Sequence, residues 1–427
     1  MDLKAWAAAG FERFQQVWKF DDFWKRSNTF HAFLRFVDAA ERKWGPNDPE
    51  VKKMSSLRDT MITTNSGFFD GQIGGGGVWA DDYGWCGISC LAARDYLRRI
   101  GDQNRAADYL NRAAKCWLTM RDLGYDFSND AEPVRHGCSN ISQDDKKKGI
   151  KSAKNTVTNA NLLVLSLRLY DAFKNTDKVA AAPYLEMTYV QYLWFNAWFQ
   201  NNYVSLDDGY YLRGFPGPYG LIHERPMAKP SYTVDSRPPW ERGWTWTGDQ
   251  GLMLAALAEI YLIRDDLRAR FSIDPVKFAN DVNNAFVTIA TGVRVLLFRS
   301  PDKVLREAPF HSSFDYHNGA DYVGGRGVLL RYLSEQSVQK MAGGPFFPQG
   351  IGATAQAVWN SSDSQHQFAA LWNKKNDLAF NQEFVKVWGS GDSSIGDWAL
   401  DSSETVHGVL QAAGLDALAA AILLDAG

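Results

Sequence analysis

The sequence has almost no excess of charge of either sign. Its 46 lysines and arginines stand against 49 aspartates and glutamates among 427 residues. A protein that binds nucleic acid or an anionic membrane surface through its charge carries a basic patch or stripe, and this balance gives no sign of one. The composition therefore argues against nucleic acid as a partner and favours a neutral one.

Cysteine is rare, and its four positions form no recognised pattern. Cys86, Cys90, Cys116 and Cys138 contain no CxxC pair, and no histidine lies at zinc-finger spacing from them. Isolated cysteines usually behave as small apolar side chains. We therefore predict buried thiols with no shared disulfide, no metal and no part in catalysis.

Histidine is also scarce, with 7 in the chain. His311 and His317, near Glu307 and Asp315, form the one cluster that resembles a set of metal ligands, and this cluster lacks HExxH spacing. We interpret these residues as polar loop positions or as part of a cleft wall. The sequence thus predicts no metal and no cofactor.

Long apolar runs are missing as well. No stretch approaches the roughly 20 apolar residues that span a membrane. The amphipathic segment 1–14 lacks the apolar core of a signal peptide. We expect no membrane span, and on the residues alone the protein is either cytoplasmic or has lost a signal sequence.

Aromatic residues, in contrast, are abundant, at 14% of the chain with 16 tryptophans. A flat apolar ring with a polar handle suits the face of a sugar, although a tryptophan-rich core would explain many of them. Aromatic residues concentrate in the segment 202–248, among them Tyr210, Tyr211, Phe215, Tyr219, Trp240, Trp244 and Trp246. This aromatic load argues against disorder, and loops of this length are usually functional.

Hydrophobic periodicity predicts an all-helical chain. Segments 105–120 and 275–298 carry apolar residues at steps of three and four, which is typical of an outer helix, whereas 162–173 and 252–262 are apolar on nearly every face, as in a buried helix. Two concentric rings of helices require this alternation. We therefore predict an all-α (α/α)6 barrel in one domain, 1–427. An open helical solenoid is the alternative, and no fixed sequence repeat supports it.

Other candidate helices bring the predicted number to eleven or twelve. They include 3–24, 29–43, 84–100, 183–200, 318–336, 350–374 and 402–424. Strand-like alternation is rare and short, as at Tyr210–Leu212. Long loops rich in glycine, proline and aromatic residues are expected at 66–83, 125–150, 202–248 and 300–317.

Two adjacent carboxylates, Asp81 and Asp82, stand where the predicted helix 84–100 begins. The glycine run 74–77 precedes them, and because no GK[ST] follows, a phosphate-binding loop is not indicated. Aspartates at a helix start are most often caps. A cap alone would therefore explain the pair.

The residues around the pair favour a catalytic role instead. Trp79, Tyr83 and Trp85 could stack on sugar rings and lower the local dielectric constant, which raises the pKa of one carboxyl, while the helix dipole keeps the other ionised. Two carboxyls with separated pKa values are what cleavage of a glycosidic bond requires. Asp81 and Asp82 are therefore the candidate catalytic residues.

At Trp79-Ala80-Asp81-Asp82-Tyr83-Gly84-Trp85 the chain resembles glycoside hydrolase family 76, the α-1,6-mannanases with an (α/α)6 barrel. Further motifs follow in the family's order, and the resemblance covers roughly residues 66–360. These motifs are Lys154-Asn155-Thr156-Val157-Thr158-Asn159 at a helix entrance, Asp207-Asp208-Gly209 in a turn, Trp244-Thr245-Trp246 with Asp249-Gln250-Gly251, and Leu305-Arg306-Glu307.

The resemblance implies a retaining glycosidase that acts on an oligosaccharide or polysaccharide, α-1,6-mannan above all, in a secreted or periplasmic location. Asp81 would be the nucleophile and Asp82 the general acid/base, and carboxyls about 5–5.5 Å apart would fit retention. The candidate substrate-binding residues are Trp79, Tyr83, Trp85, Asn155, Asn159, Asp207, Asp208, Tyr211, Trp244, Trp246, Asp249 and Gln250.

Purely structural roles would also explain several of these residues. Asn155 and Asn159 could be helix caps, Asp207 and Asp208 turn residues, and the two tryptophans of the Trp-Thr-Trp motif core residues. The chain also departs from the family pattern at four positions, where Ala80 replaces an aromatic residue, Cys86 a tryptophan, Ala160 an acidic residue and Asp249 an asparagine. These departures bear on the sugar subsites more than on the mechanism.

Three other functions fit parts of the sequence. A transglycosylase would use the same acid pair and exclude water. A non-catalytic glycan-binding protein would need the aromatic surface without the acids. A sugar epimerase would need paired histidines, for which His311 and His317 are the candidates.

Overall fold

The computed structural model describes residues 2–127, 136–150, 152, 154–200, 220–222, 224, 246–298, 301–307, 323–379 and 404–425. Within these ranges the regular secondary structure is helical, apart from two isolated antiparallel bridges, Trp79 with Ser142 and Tyr125 with Cys138. The helices are α1 Leu3–Val17, α2 Phe23–Trp44, α3 Pro49–Gln72, α4 Ala80–Arg99, α5 Gln103–Gly124, α6 Gln143–Lys147, α7 Thr156–Phe173, α8 Lys178–Gln200, α9 Thr247–Leu262, α10 Arg264–Phe271, α11 Pro275–Gly292, α12 Gly325–Leu333, α13 Gln336–Met341, α14 Pro348–Asn360 and α15 Glu404–Leu423.

The strongest periodic segments are confirmed as helices. The outer pattern at 105–120 lies in α5, and the pattern at 275–298 is α11 followed by a π-helical turn, Val293–Leu297. The apolar segments 162–173 and 252–262 lie in α7 and α9, and residues 154–167 and 247–258 are buried without interruption. Helices that are apolar all round are therefore inside, as periodicity predicts.

Two predicted helices are wrong in extent because local capping ends the helix where the apolar pattern continues. Segment 3–24 is interrupted after Val17, and α2 starts beyond Asp22, whose carboxylate accepts the Lys25 N–H at 3.1 Å. Segment 350–374 is helical only to Asn360, after which the Ser361 hydroxyl donates to the Val358 carbonyl at 2.8 Å. Serine and aspartate compete in this way with helix continuation.

Helix α3 was not predicted, and its last turns occupy the start of the expected loop 66–83. The sequence does carry a start signal for it. The Asp48 carboxylate accepts the Glu50 N–H at 3.0 Å and the Val51 N–H at 3.4 Å, and Pro49 fills the first helical position. Proline there is favourable because its missing N–H would have no helical partner.

The chain divides into two compact units. The first comprises Met1–Asn65, Thr245–Gly251 and Gly292–Gly427, and the second comprises Ser66–Trp244 and Leu252–Thr291. The single domain expected over 1–427 stays a prediction.

In the first unit, helix α15 is the centre of the core, and α1, α2, α12 and α14 all pack against it. Its stretch Thr405–Leu423 has a mean hydropathy of 1.5, which makes it the one helix of the described chain that is long and apolar enough to cross a membrane. The sequence analysis predicted no such stretch. Because 89% of this stretch is buried within the protein, a core helix explains its composition and the evidence for a span is weak.

In the second unit, α4 packs against α5 and α7, and α8 packs on α7. Two glycines let α4 and α7 approach closely. A Cβ at Gly84 would lie 2.6 Å from Asn161 Cβ, and one at Gly87 would lie 2.6 Å from a methyl carbon of Leu165. This contact fixes the start of α4 against the buried part of α7, and the start of α4 carries the acid pair.

All four cysteines are buried, as predicted. Three of them, Cys86, Cys90 and Cys116, belong to α4 and α5. Burial raises the pKa of the Cys86 and Cys116 thiols, so both stay protonated and unreactive near neutral pH.

Candidate functional site

Asp81 and Asp82 occupy the first turn of α4, which begins at Ala80. The residue before the helix is Trp79, whose backbone is extended. Both side chains are partly exposed. The Asp82 carboxylate accepts the Trp79 N–H at 3.0 Å, which is one of the two contacts of a capping box. Asp82 therefore stabilises the helix start and still reaches solvent.

Asp81 has a different partner. Its Oδ2 accepts a hydrogen bond from the Asn140 side-chain amide at 2.9 Å, and its own N–H donates to Asn140 Oδ1 at 3.4 Å. The two carboxylates are thus held by unlike donors, a backbone N–H for Asp82 and a side-chain amide for Asp81. This difference gives adjacent, chemically identical residues distinct environments.

The segment 136–142 brings Asn140 to this place. The Ile141 carbonyl accepts the Ala80 N–H at 3.1 Å, and the Ser139 N–H donates to the Gly124 carbonyl at 2.8 Å. The segment is therefore tied both to the start of α4 and to the end of α5. Burial raises the pKa of the Cys138 thiol within it, and the nearby Asp81 carboxylate adds to this effect.

Of the three aromatic residues predicted to stack on sugar, Trp79 is 41% exposed, whereas Tyr83 and Trp85 are 1% and 3% exposed. The Tyr83 hydroxyl accepts the Gly74 N–H at 3.2 Å and donates to the Gly75 carbonyl at 3.3 Å, so it anchors the glycine-rich turn. Trp79 consequently offers the accessible ring beside the acids. Stacking on substrate stays a prediction for all three.

Asn159 holds the segment 136–142 in place through hydrogen bonds to its backbone. Its side-chain oxygen accepts the Cys138 N–H at 2.6 Å, and its side-chain nitrogen donates to the Cys138 carbonyl at 2.9 Å and to the Asn155 carbonyl at 2.7 Å. Gln191, on α8, donates to the same Asn159 oxygen at 3.1 Å. These contacts give the buried Asn159 a structural role, and its predicted contact with substrate is not tested by them.

Asn155 precedes α7 and donates to Glu224 Oε1 at 2.6 Å. Glu224 Oε2 accepts the Val157 N–H at 2.9 Å, so this carboxylate caps the helix. A negative charge at a helix N-terminus is stabilised by the helix dipole. Glu224 was not predicted, since its partners are 67 and 69 residues away in the chain.

The remaining described candidates, Trp246, Asp249 and Gln250, lie in the first unit at the start of α9 and are buried. The Gln250 amide donates to the Trp246 carbonyl at 3.1 Å. A Cβ at Gly325 would lie 2.5 Å from the Trp246 indole nitrogen, so α12 begins against this ring. Trp246 thus has the packing of a core residue, and the binding roles of these three residues stay predictions.

Glu307 joins the starts of two helices. Its carboxylate accepts the Thr247 N–H at 3.1 Å and the Thr247 hydroxyl at the start of α9, and the Arg326 N–H at 3.0 Å at the start of α12. Burial raises the pKa of Glu307 to about 7, although the positive Arg326 and the hydrogen bonds act in the opposite direction. The carboxyl is therefore expected to bind a proton in the folded protein at pH values where the unfolded chain has lost it.

This shift makes stability depend on pH in a defined direction. Between the ordinary Glu pKa of 4.5 and about 7, the folded state holds more protons than the unfolded state. The free energy of unfolding should therefore fall as pH rises through that window, by at most about 3 kcal/mol. Urea denaturation of the wild type and of Glu307→Gln measures this effect. Because the variant lacks the titration, the free energy of unfolding of the wild type minus that of the variant should fall from pH 4.5 to 7. A difference that grows with pH would mean that Glu307 stays ionised.

Several candidates lie outside the described residues. They are Asp207, Asp208, Tyr211, Trp244, His311 and His317. In the part of the chain that the structure describes, no group of three or more His, Cys, Asp or Glu side chains is arranged to hold a metal ion.

Asn140 is the residue of this site that sequence reasoning missed. It begins Asn140-Ile141-Ser142, which matches a glycosylation sequon that arises by chance, and nothing local connects it with Asp81, 59 residues earlier. A pairing at that separation has no periodic or motif signal in a single sequence.

Three solved structures share this fold over nearly the whole chain. An α-1,6-mannanase of glycoside hydrolase family 76 from Salegentibacter sp. HEL1_6 has 16% identity and a TM-score of 0.57, and the match covers 99% of this chain and 100% of that one. A family 76 glycoside hydrolase from a bovine Bacteroides thetaiotaomicron strain has 13% identity and a TM-score of 0.59, covering 100% and 78%. A family 76 α-mannanase from Bacteroides thetaiotaomicron has 10% identity and a TM-score of 0.54, covering 98% and 96%.

No protein-family model and no curated protein sequence matches the chain significantly. The likeness is thus one of structure rather than of sequence. It confirms the predicted fold class, an all-α barrel of the kind found in family 76. Since identity is low, the likeness establishes the fold, and activity has to be argued from the site.

Proposed function

We propose that the protein is a retaining glycoside hydrolase that cleaves an α-1,6-linked glycan, most simply α-1,6-mannan, with Asp81 as nucleophile and Asp82 as general acid/base. The observation that carries the proposal is the pair of partly exposed carboxylates in the first turn of α4, held by unlike donors. The family 76 motifs and the shared fold support the substrate class.

The roles follow from the environments. Asp81 accepts a hydrogen bond from Asn140 and stands at a helix N-terminus, and both features favour the ionised form that a nucleophile needs. Asp82 accepts the Trp79 N–H and lies directly beside Asp81 in the chain. When Asp81 is ionised, repulsion between the two negative charges favours a proton on Asp82. Asp81, the acid that accepts from the Asn140 amide, is therefore assigned the nucleophilic step.

In the first step a carboxylate oxygen of Asp81 attacks the anomeric carbon, while Asp82 gives its proton to the leaving glycosidic oxygen as the bond to that oxygen breaks. In the second step Asp82 takes a proton from water, and the water oxygen displaces Asp81 from the anomeric carbon. Two inversions give net retention. Trp79 is proposed to stack on a sugar ring beside the scissile bond.

Other residues are proposed to bind the glycan on the strength of the family resemblance, in one catalytic domain over 1–427. They are Tyr83, Trp85, Asn155, Asn159, Asp207, Asp208, Tyr211, Trp244, Trp246, Asp249 and Gln250. A secreted or periplasmic location is proposed with them, because a polymeric substrate does not cross a membrane unaided.

A panel of linear α-1,6-mannan, branched mannan and dextran tests the proposal. The expected result is release of reducing ends from an α-1,6-linked polymer, with the α-anomer appearing first by NMR. Initial appearance of the β-anomer would overturn the retaining mechanism. Transfer to an added acceptor sugar in preference to water would identify a transglycosylase, and binding without any cleavage would identify a glycan-binding protein.

A further inference from the structure

We propose that Asn140 is a positioning residue that holds the Asp81 carboxylate ionised and oriented for attack. This inference rests on the proposed function, because it assigns Asn140 a task in the reaction of Asp81. Asn140 contacts Asp81 twice, through Nδ2 on the carboxylate at 2.9 Å and through Oδ1 on the N–H at 3.4 Å. A side-chain amide is suited to both contacts since it can donate and accept at once.

The two contacts with Asn140 restrict rotation of the Asp81 side chain. The N–H of Asp81 is fixed in the helix backbone, so an amide that accepts from it has a defined position relative to α4. The same amide's nitrogen then fixes where Asp81 Oδ2 lies. A carboxylate held in this way spends less conformational entropy on reaching its reactive orientation, which is the basis of preorganised catalysis.

Asn140 is itself held on both sides along the chain. On one side the Cys138 N–H and carbonyl are bound by the Asn159 amide. On the other side the Ile141 carbonyl accepts the Ala80 N–H at 3.1 Å, and the Asn140 carbonyl accepts the Ser152 hydroxyl. The segment that carries the Asn140 amide is therefore held in place by hydrogen bonds on both sides.

The contact also has an electrostatic consequence. A donor to the charged form of a carboxyl lowers its pKa. The donor to Asp82 is a backbone N–H, which every residue at position 79 other than proline would supply. The donor to Asp81 is instead a side-chain amide, so a single substitution of Asn140 can remove it.

The same geometry bears on the sequon Asn140-Ile141-Ser142. The amide nitrogen that would carry a glycan donates to Asp81, and the Ser142 hydroxyl accepts the Asp145 N–H at 3.1 Å. Ser142 is also buried. In the folded protein, Asn140 therefore serves Asp81 instead of accepting a sugar.

The test compares Asn140→Ala, Asn140→Ser and Asn140→Asp with the wild type, with Asn104→Ala as control on an exposed position of α5. We expect the kcat of Asn140→Ala to fall about 10- to 100-fold with KM nearly unchanged. The acid limb of kcat/KM should move to higher pH by about one unit. Serine should restore part of the loss, and aspartate should move the limb furthest because its like charge opposes ionisation of Asp81.

A readout without substrate separates this inference from the proposed function. The 13C carboxyl signal of Asp81, assigned by its loss in Asp81→Asn, reports the pKa of Asp81 in each variant. A pKa of Asp81 unchanged by Asn140→Ala overturns the inference whether or not a glycan is cleaved. Lower thermal stability with an unmoved acid limb would show a structural role only and would also overturn it. If the pKa moves but the wild type cleaves no polymer, the proposed function fails instead.

Discussion

Asp81→Asn and Asp82→Asn are each expected to lower kcat on the cleaved glycan at least about 1,000-fold while leaving folding and glycan binding unchanged. The amide of asparagine cannot form the glycosyl-enzyme in place of Asp81, and it cannot exchange a proton in place of Asp82. It keeps an oxygen that can accept from Asn140 or from the Trp79 N–H, so the helix start should survive. Release of reducing ends and calorimetric glycan binding measure the two effects.

Asp102→Asn is the matched control. Asp102 also precedes a helix, and its carboxylate accepts the Arg105 N–H at 3.1 Å and pairs with the Arg105 guanidinium at 2.6 Å, so its contacts are those of a helix cap. Its variant should retain wild-type activity. Near wild-type turnover in either variant of the acid pair would refute the assigned roles, since a cap tolerates asparagine and a nucleophile does not.

The two roles can also be told apart. In Asp81→Ala, added azide should attack the anomeric carbon directly and give a glycosyl azide of inverted configuration. In Asp82→Ala, a substrate with a good leaving group should still form the glycosyl-enzyme, and azide should then give the retained product. The opposite pattern would exchange the roles of the two acids.

Asp416→Ala is expected to lower the free energy of unfolding by about 3–5 kcal/mol. Asp416 on α15 and Arg331 on α12 form a bidentate pair, with N–O distances of 2.9 and 2.6 Å, and both side chains are 1% exposed. Removal of the carboxylate leaves a buried guanidinium whose remaining partner is Asn28, at 2.8 Å from Nη1. Urea denaturation monitored by circular dichroism measures the loss.

The double variant Arg331→Met/Asp416→Leu is expected to regain most of this stability, because an apolar pair of similar volume needs no desolvation of charge. Asp70→Ala provides the comparison at the surface. Its carboxylate binds Arg112 at 2.7 Å and is half exposed, and such pairs contribute about 1 kcal/mol or less. An Asp416→Ala loss no greater than that of Asp70→Ala would contradict the expected effect of burial.

The helices show how far local pattern reaches. Apolar residues on every face predicted that α7 and α9 are buried, and the structure confirms it for residues 156–167 and 247–258. The break between α1 and α2 was missed because buried aromatic residues, Trp18 and Phe20, continue the apolar pattern through it. The Asp22 cap that starts α2 is a single residue, which periodicity averages out.

The candidate site shows what local sequence pattern does not predict. The acid pair, the exposed tryptophan before it and the helix that carries them were all read from one short stretch of sequence. Tyr83 and Trp85, from the same stretch, are buried, because successive side chains around a helix point to different faces and α4 has neighbours on most of them. Sequence adjacency to the acids therefore did not tell which rings are exposed.

The sequence by itself determined that the chain is helical, which helices are buried, and that two carboxylates begin one of them, because periodicity and motifs are properties of neighbouring residues. Only the tertiary structure decided that Asn140 holds Asp81, that Glu224 caps α7 and that Glu307 joins two helix starts. Each of these contacts links residues 19 to 69 positions apart. Such pairings depend on how helices pack against one another, and packing is set by the whole set of surfaces rather than by any local pattern.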